Sequence, residues 1–594
     1  MSMDPVQLLV MANRVDGITR EMTNTLVRTA RSTTLIARDF SCSVTDFENE
    51  LLAAPEGIPV HVYGSGLVCE SMGDLHPDFK EGDAYLHNDP YLGNSHPADH
   101  TILVPVFVEG RHIFTACIKA HQSDIGNAIP TTYTPKAKDV YEEGALIFPC
   151  VLVQEHYSDV GDIIRMCMKR IRVPEMWYGD YLAMIAAARV GEQRLKELCT
   201  KFGLENVQLF IQEWKDYCER LAQNAIKDLP AGRIQATTAL DPFPGLPDGL
   251  PLQATVDVDA TEGRVTIDLR DNPDCTPTGL NLSESCSINA GISGVLTVLN
   301  SKRDATQSLV PNNAGSFRRI QVLVRENCVV GIPRHPASCS MATNTVADRA
   351  LGMIYAAFGR LADGIGLAEP CWGSPVFEAV VSGWNRTRQE PFVLQLFSGT
   401  AGGPATYESD GWLTFSIPAG GGLAYIDETE VVEQKYPFVI WETYVRPDSE
   451  GAGRTRGAPG NIAIYGPLPN SDPIEAHYSL DGSFNVPKGV QGGGPALGPA
   501  AYLIDSDGVT THLPDIVGEQ VIPPGQRILS HSAGGGGYGH PHLRSTASVL
   551  TDVVEGYISI DRARDVYGIA LTGDPTKVET LKVDDDTTLA LRSD

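Results

Sequence analysis

Six side chains in this chain of 594 residues have the types and spacing to do chemistry together: Asp39, His96, Asp99, His100, His121 and Asp124. His96, Asp99 and His121 offer two imidazoles and a carboxylate. Such a set leaves positions open on a first-row divalent ion, and zinc, manganese or iron would each accept it. The same spacing also suits histidines that are simply hydrogen-bonded at a strand end, and the residues alone leave both readings standing. His100 and Asp124 lie beside this set as groups that complete it or orient a ligand imidazole through its second nitrogen. Asp39 is a candidate base or further ligand.

These residues depend on the elements that carry them. Apolar runs at 102–107 and 113–120 flank Glu109-Gly110-Arg111, the pattern of a β-hairpin with a short turn. Such a hairpin would bring His96, Asp99 and His100, just before its first strand, to the same edge as His121, just after its second. Upstream, Leu9, Ala12, Val15, Ile18, Met22, Leu26 and Ala30 recur at helical spacing within 6–31. An extended stretch over 39–46 follows, and Pro59 to Tyr63 reads as a second strand-like piece. Helical periodicity returns over 181–198 and 207–225. From Ala231 onward β-type alternation dominates, with one helical interlude over 342–361. The last 200 or so residues are dense in glycine, implying loop-rich β structure. The expectation is a multidomain α+β chain. It comprises a mixed α/β region with the candidate metal-ligand histidines (1–158), a helical layer (159–230), an α+β domain (231–390) and a glycine-rich β domain (391–594).

Other motifs are weaker. Asn88-Asp89-Pro90-Tyr91 has the composition of a turn. Gly534-Gly535-Gly536-Gly537-Tyr538-Gly539 lacks the Lys-Ser/Thr of a P-loop, so it reads as backbone that must approach something closely. Trp177, Tyr178 and Tyr181 read as helix packing. Neither a Gly-x-Ser-x-Gly elbow nor a His-Glu-x-x-His pair occurs.

A formal net charge of −28 argues against nucleic acid and anionic membrane as partners, since both need a positive surface. Small molecules and other proteins remain. The twelve cysteines form no Cys-x-x-Cys pair and read as buried thiols. No secretory signal pattern opens the sequence, so a cytoplasmic location is expected.

Taken in order, the motifs resemble those of the hydantoinase B/oxoprolinase family. The resemblance runs through Asp4-Pro5-Val6, Arg38 to Cys42, Asn88 to Tyr91, His96 to Asp99, His121 with Asp124-Ile125-Gly126, and Tyr141 to Gly144. It continues through Ser398-Gly399-Thr400, Gly451 to Gly457, Gly534 to Gly539 and Asp552-Val553. It implies a subunit that works with a hydantoinase A/oxoprolinase-type chain, which binds ATP and phosphorylates a carbonyl substrate; a small accessory subunit is a further partner it allows. It also implies that His96, Asp99 and His121 hold a divalent metal, with Asp39 at a family acidic position near them.

The sequence departs from hydrolase members beside His121. Where those have Gly-Gly and then Pro-Gly-Ser, this chain has Gly126-Asn127 and then Pro130-Thr131-Thr132-Tyr133. Extra side chains there tilt the expectation toward a ketone carboxylase of the acetone or acetophenone type, acting through a phosphorylated enol. The alternative is ATP-dependent hydrolysis of a cyclic amide such as a hydantoin, 5-oxoproline or lactam. A third reading is a non-catalytic scaffold for the ATP-binding chain.

Overall fold

The computed structural model describes residues 3–301, 309–372, 377–415, 418–422, 424–514 and 518–593. A seven-stranded sheet builds the first half. Its strands, numbered along the chain, are β1 (Phe40–Asp46), β2 (Leu51–Ala53), β3 (Ala84–His87), β4 (Asp99–Val108), β5 (Arg111–His121), β6 (Val151–Glu155) and β7 (Ser158–Asp159). Their spatial order is β2-β1-β5-β4-β3-β6-β7. The expected hairpin is the centre of the sheet. Glu109 and Gly110 both take positive φ, 52° and 72°, as a two-residue turn between right-twisted strands requires.

Strand parity sorts the side chains of this hairpin. Ile102, Val104 and Val106 of β4 and Phe114, Ala116 and Ile118 of β5 enter one apolar core with helices Pro5–Thr29 and Pro174–Phe202. Asp99, Thr101, Lys119 and His121 take the opposite parity. The helical layer is thus continuous with the first sheet: Trp177, Tyr181 and Ala188 share the core of the hairpin. Trp177 and Tyr181 stack with ring centroids 5.6 Å apart, the packing role expected of them.

A second core gathers a four-stranded sheet (Gly232–Leu240, Leu250–Asp259, Arg264–Asp268, Ile320–Leu323) with helices Glu284–Ser301 and Val346–Leu361. One helical interlude is expected from the sequence in this region; a second long helix, Glu284–Ser301, precedes it. Glu284–Ser301 escapes periodicity because it is buried nearly all round, so no polar stripe marks it. Its glycines allow close packing: a Cβ at Gly294 would lie 2.5 Å from Ile354 Cγ2.

Pro59 to Tyr63 corrects another expectation. Pro59–Val62 is a short helix, with Pro59 at its first turn, where a missing N–H costs nothing. Val60 turns into the second core and His61 into the first half of the molecule.

Two larger sheets follow among the described residues, with a two-stranded one (Leu571–Thr572 and Lys582–Val583) near the C-terminal end. One pairs Glu390–Phe397, Phe377–Asn385, Ile474–Tyr478 and Gly518–Ile522; the other has five strands between Phe438 and His531. The glycine segments meet backbone to backbone. Gly402 N donates to Ala533 O (2.9 Å), Gly535 N to Ala458 O (3.0 Å) and Gly451 N to Gly535 O (2.8 Å). A Cβ at Gly457 would fall 1.8 Å from Gly535 O, which is why glycine is needed there. The amides of Gly534–Gly539 are spent on neighbouring carbonyls, in line with close approach.

Candidate metal centre

The Asp99 carboxylate is the focus of the site. Asp99 opens β4 and His121 closes β5, and the two are directly paired in register. His121 Nδ1 lies 3.0 Å from Asp99 Oδ1 and His96 Nε2 lies 2.9 Å from the same oxygen. The other oxygen, Oδ2, accepts from Ser95 Oγ and stands 3.1 Å from His61 Nε2. All of these groups are buried.

Each donor is held from behind. His96 Nδ1 faces the backbone carbonyl of Ser340 at 2.9 Å. A carbonyl only accepts, so that nitrogen carries the proton and Nε2 keeps its lone pair for a ligand. His121 Nε2 reaches Thr132 Oγ1 at 3.2 Å, leaving Nδ1 toward Asp99. Asn94 Nδ2 clamps the intervening turn, donating to His96 O and Asp99 O at 2.8 Å each. Asn88, in the Asn-Asp-Pro-Tyr turn, ties the same loop down through Pro97 O (2.7 Å) and Leu146 O (2.8 Å). His121 N donates to Asp39 O (3.0 Å), which brings Asp39 to the edge of the cluster. The Asp39 carboxylate lies 3.9 Å from His61 Nε2 and is 14% exposed, the most open group of the set.

Electrostatics follow from this packing. Burial works against the charge on Asp99, yet His61, His96 and His121 around it hold its carboxyl well below the usual range. Burial alone would depress His96; the Asp99 carboxylate overrides it and leaves the imidazole raised. Asp39 is pushed up by burial, against the pull of His121 and His61. Glu143, which burial pushes up to about 7, accepts from Ser338 Oγ at 2.7 Å.

The donor set fits a divalent ion. One ligand atom each from His96, Asp99 and His121 lies within 4.8 Å of the others, and all three are oriented by outer partners. A second acidic group, Asp46, Glu48 and Glu50, does not need an ion, because the Lys215 ammonium fills it at 2.7 Å from Asp46 and 3.2 Å from Glu48.

The structure brings Asp39, His96, Asp99 and His121 together and sets His100 and Asp124 apart. Adjacent to Asp99 in a strand, His100 must point to the other face; there it meets Phe148 and accepts from Trp177 Nε1 at 3.3 Å. Asp124 serves the following loop instead. Its carboxylate takes Arg172 N (2.5 Å), the Arg172 guanidinium (3.1 Å) and Gly126 N (3.0 Å). Sequence reasoning passed over His61, Ser95 and Glu143, whereas Thr132 lies in the loop it singled out beside His121. Only for His61 was a signal at hand, the proline two residues ahead of it. The loop that departs from hydrolase members does border the centre: the Tyr133 ring lies 5.4 Å from His121 and stacks on His96 at 6.0 Å.

Known proteins resemble this chain over nearly its whole length. The caprolactamase beta subunit of Pseudomonas jessenii is 29% identical over 96% of this chain and 97% of its own. The crystal structure of the ATP-dependent caprolactamase from Pseudomonas jessenii superposes with a TM-score of 0.88 at 26% identity, covering 100% of both chains. A nucleotide-free acetone carboxylase structure also reaches 0.88, at 17% identity, over 99% of this chain and 82% of that one, a likeness of fold. The family model described as hydantoinase B/oxoprolinase matches residues 4–541, and the chain belongs to that family of enzymes.

Proposed function

We propose that this chain is the metal-bearing subunit of an ATP-dependent cyclic amidohydrolase, working with a partner subunit that uses ATP to activate the amide carbonyl. The observation that carries the reading is the buried Asp99 carboxylate between His96 and His121, on a chain alike over its whole length to a caprolactamase beta subunit. His96, Asp99 and His121 would hold the ion. A divalent ion supplies Lewis acidity toward a carbonyl oxygen and acidifies water, which is what opening a stable amide ring demands.

The chain's own residues do the rest. Ser95 and His61 bind Asp99 Oδ2, so Oδ1 is the oxygen left facing the imidazoles. Asp39, raised by burial and the most open group, is placed to take the proton that a water loses as it adds to the carbonyl carbon. Tyr133 and Thr132 cover the histidine pair and restrict water around it.

The second reading is carboxylation of a ketone, favoured by the side chains of Thr132 and Tyr133 at the centre and by the fold shared with acetone carboxylase. Bicarbonate separates the two. Co-expressed with its ATP-binding partner, the complex is expected to open a lactam with ATP consumption in bicarbonate-free buffer. ATP turnover only with a ketone plus bicarbonate would replace hydrolysis by carboxylation. Unchanged turnover in His121→Ala would leave the scaffold reading.

A further inference from the structure

Cys69 and Cys117 stand sulfur to sulfur at 3.4 Å, 48 positions apart in the chain and both buried. Cys69 lies on the helix Ser65–Leu75 and Cys117 on β5. With Met72, Tyr85 and Leu103 they form a small core of their own, on the face of the first sheet opposite the long helices.

The surroundings distinguish the two thiols. Thr45 Oγ1 lies 3.3 Å from Cys69 Sγ. Lys119, two residues on from Cys117 and so on the same face, is buried, and its Nζ finds no hydrogen-bond partner among the described residues. The bond between the sulfurs pulls Cys69 below its ordinary range and pushes Cys117 above it, while the Lys119 ammonium favours a thiolate. One sulfur is primed as the nucleophile, and the other waits in contact to resolve it. Access comes from the helix itself. It has no side-chain N-cap, carries Gly66 and Gly73, and is exposed on its far side at Glu70, Asp74 and Leu75, so local opening admits a molecule as small as hydrogen peroxide.

We propose that Cys69 and Cys117 are an oxidative modification site, which a peroxide closes into a disulfide and a dithiol reductant reopens. The Cys69 thiolate attacks one peroxide oxygen, breaking the O–O bond to give a sulfenic acid and hydroxide. The Cys117 sulfur then attacks the sulfenic sulfur, and the S–S bond forms as a second hydroxide leaves. The two thiol protons turn the hydroxides into two waters, and two electrons pass from the sulfurs to the peroxide.

Closure reaches the candidate metal centre through one loop. Ser71 Oγ donates to Leu92 O at 2.8 Å, and Gly93 sits so close to the helix that a Cβ there would lie 2.5 Å from Leu67 Cβ. Drawing the sulfurs from 3.4 Å to about 2.05 Å shifts the helix on the sheet, and with it the chain leading to Ser95 and His96, while His121 stays on the strand of Cys117. The closed form therefore holds an ion less tightly, a consequence that rests on the reading of His96, Asp99 and His121 as ligands.

The full chain, treated with hydrogen peroxide, freed of it and mapped by non-reducing peptide mass spectrometry, is expected to show a disulfide between Cys69 and Cys117 that dithiothreitol removes. Zinc, which has no redox chemistry of its own, serves as the probe ion. In competition with a chromophoric chelator, zinc affinity should fall by about ten-fold or more on oxidation and recover on reduction. Cys69→Ala should keep its affinity through peroxide, and Cys117→Ala serves the same purpose should the first variant fold poorly. Pairing of other cysteines, sulfinic acid at Cys69 without the disulfide, or the same loss of affinity in Cys69→Ala would overturn the proposal. A mapped disulfide with unchanged zinc affinity would overturn the link to the centre. A mapped disulfide in a chain that takes up no zinc in either state would refute the ligand reading and uphold the modification site.

Discussion

Replacing His61 by alanine tests whether the proposed metal centre depends on how Asp99 is held. Asp99 Oδ2 has two partners, Ser95 Oγ and His61 Nε2, the latter at 3.1 Å. The bond to His61 is buried and joins an ionised carboxylate, so it is among the stronger kinds. Its loss leaves Ser95 in place and does not remove a member of the His96, Asp99 and His121 set. The expected effect is that of an outer partner, a fall of about 10–100-fold in metal affinity, or about 1.4–2.7 kcal/mol. A competition titration against a chromophoric chelator, with metal analysis of the purified proteins, measures it; His121→Ala, run alongside, is expected to lose the metal outright. If His61→Ala matches His121→Ala, His61 is itself a ligand, and if its affinity equals wild type, the Asp99 contact is idle. Either result would refute the reasoning.

Three further outcomes follow from burial and charge. Because Asp99 leaves His96 raised above its ordinary 6.5, a proton competes with the ion already above that pH, and chelator titrations should show metal affinity falling as pH drops toward 6.5. His100 is buried, and burial lowers it to about 3, so the unfolded chain gains a proton below about 6.5 that the folded chain refuses, and stability is lost as pH falls. His100→Leu should remove that share, about 2 kcal/mol between pH 7 and pH 5, in denaturant titrations; an acid limb identical to wild type would count against it. Glu143 has the opposite sign: burial lifts it from 4.5 to about 7, so stability drains away as pH rises through that interval. Glu143→Gln should be more stable than wild type by up to about 3 kcal/mol at pH 8, with the gain vanishing near pH 4.5, and a constant difference across pH would refute it.

The hairpin was legible because its signals are local. Apolar runs over 102–107 and 113–120 and the Glu-Gly turn specify two strands and their register, and the alternation of side chains along paired strands places Asp99 opposite His121. The same rule of alternation, applied one residue on, would have sent His100 to the other face. Asp124 was harder to read, since its partner Arg172 lies 48 positions away. Helix Glu284–Ser301 was hidden because burial on all sides removes the amphipathic pattern. Short apolar runs such as Pro59–Val62 fit a strand or a helix equally well by pattern, and packing of Val60 into the second core decides between them.

By itself the sequence determined the central hairpin and the amphipathic helices, which are written in spacing along the chain, and the resemblance of its ordered motifs pointed to the family and, through it, to the His96, Asp99 and His121 set. Only the tertiary structure decided what surrounds that set. Ser340 O behind His96 and His61 beside Asp99 lie where the first sheet meets the second core. Their neighbours are remote in sequence, and contacts made by packing across that distance leave no periodicity to read.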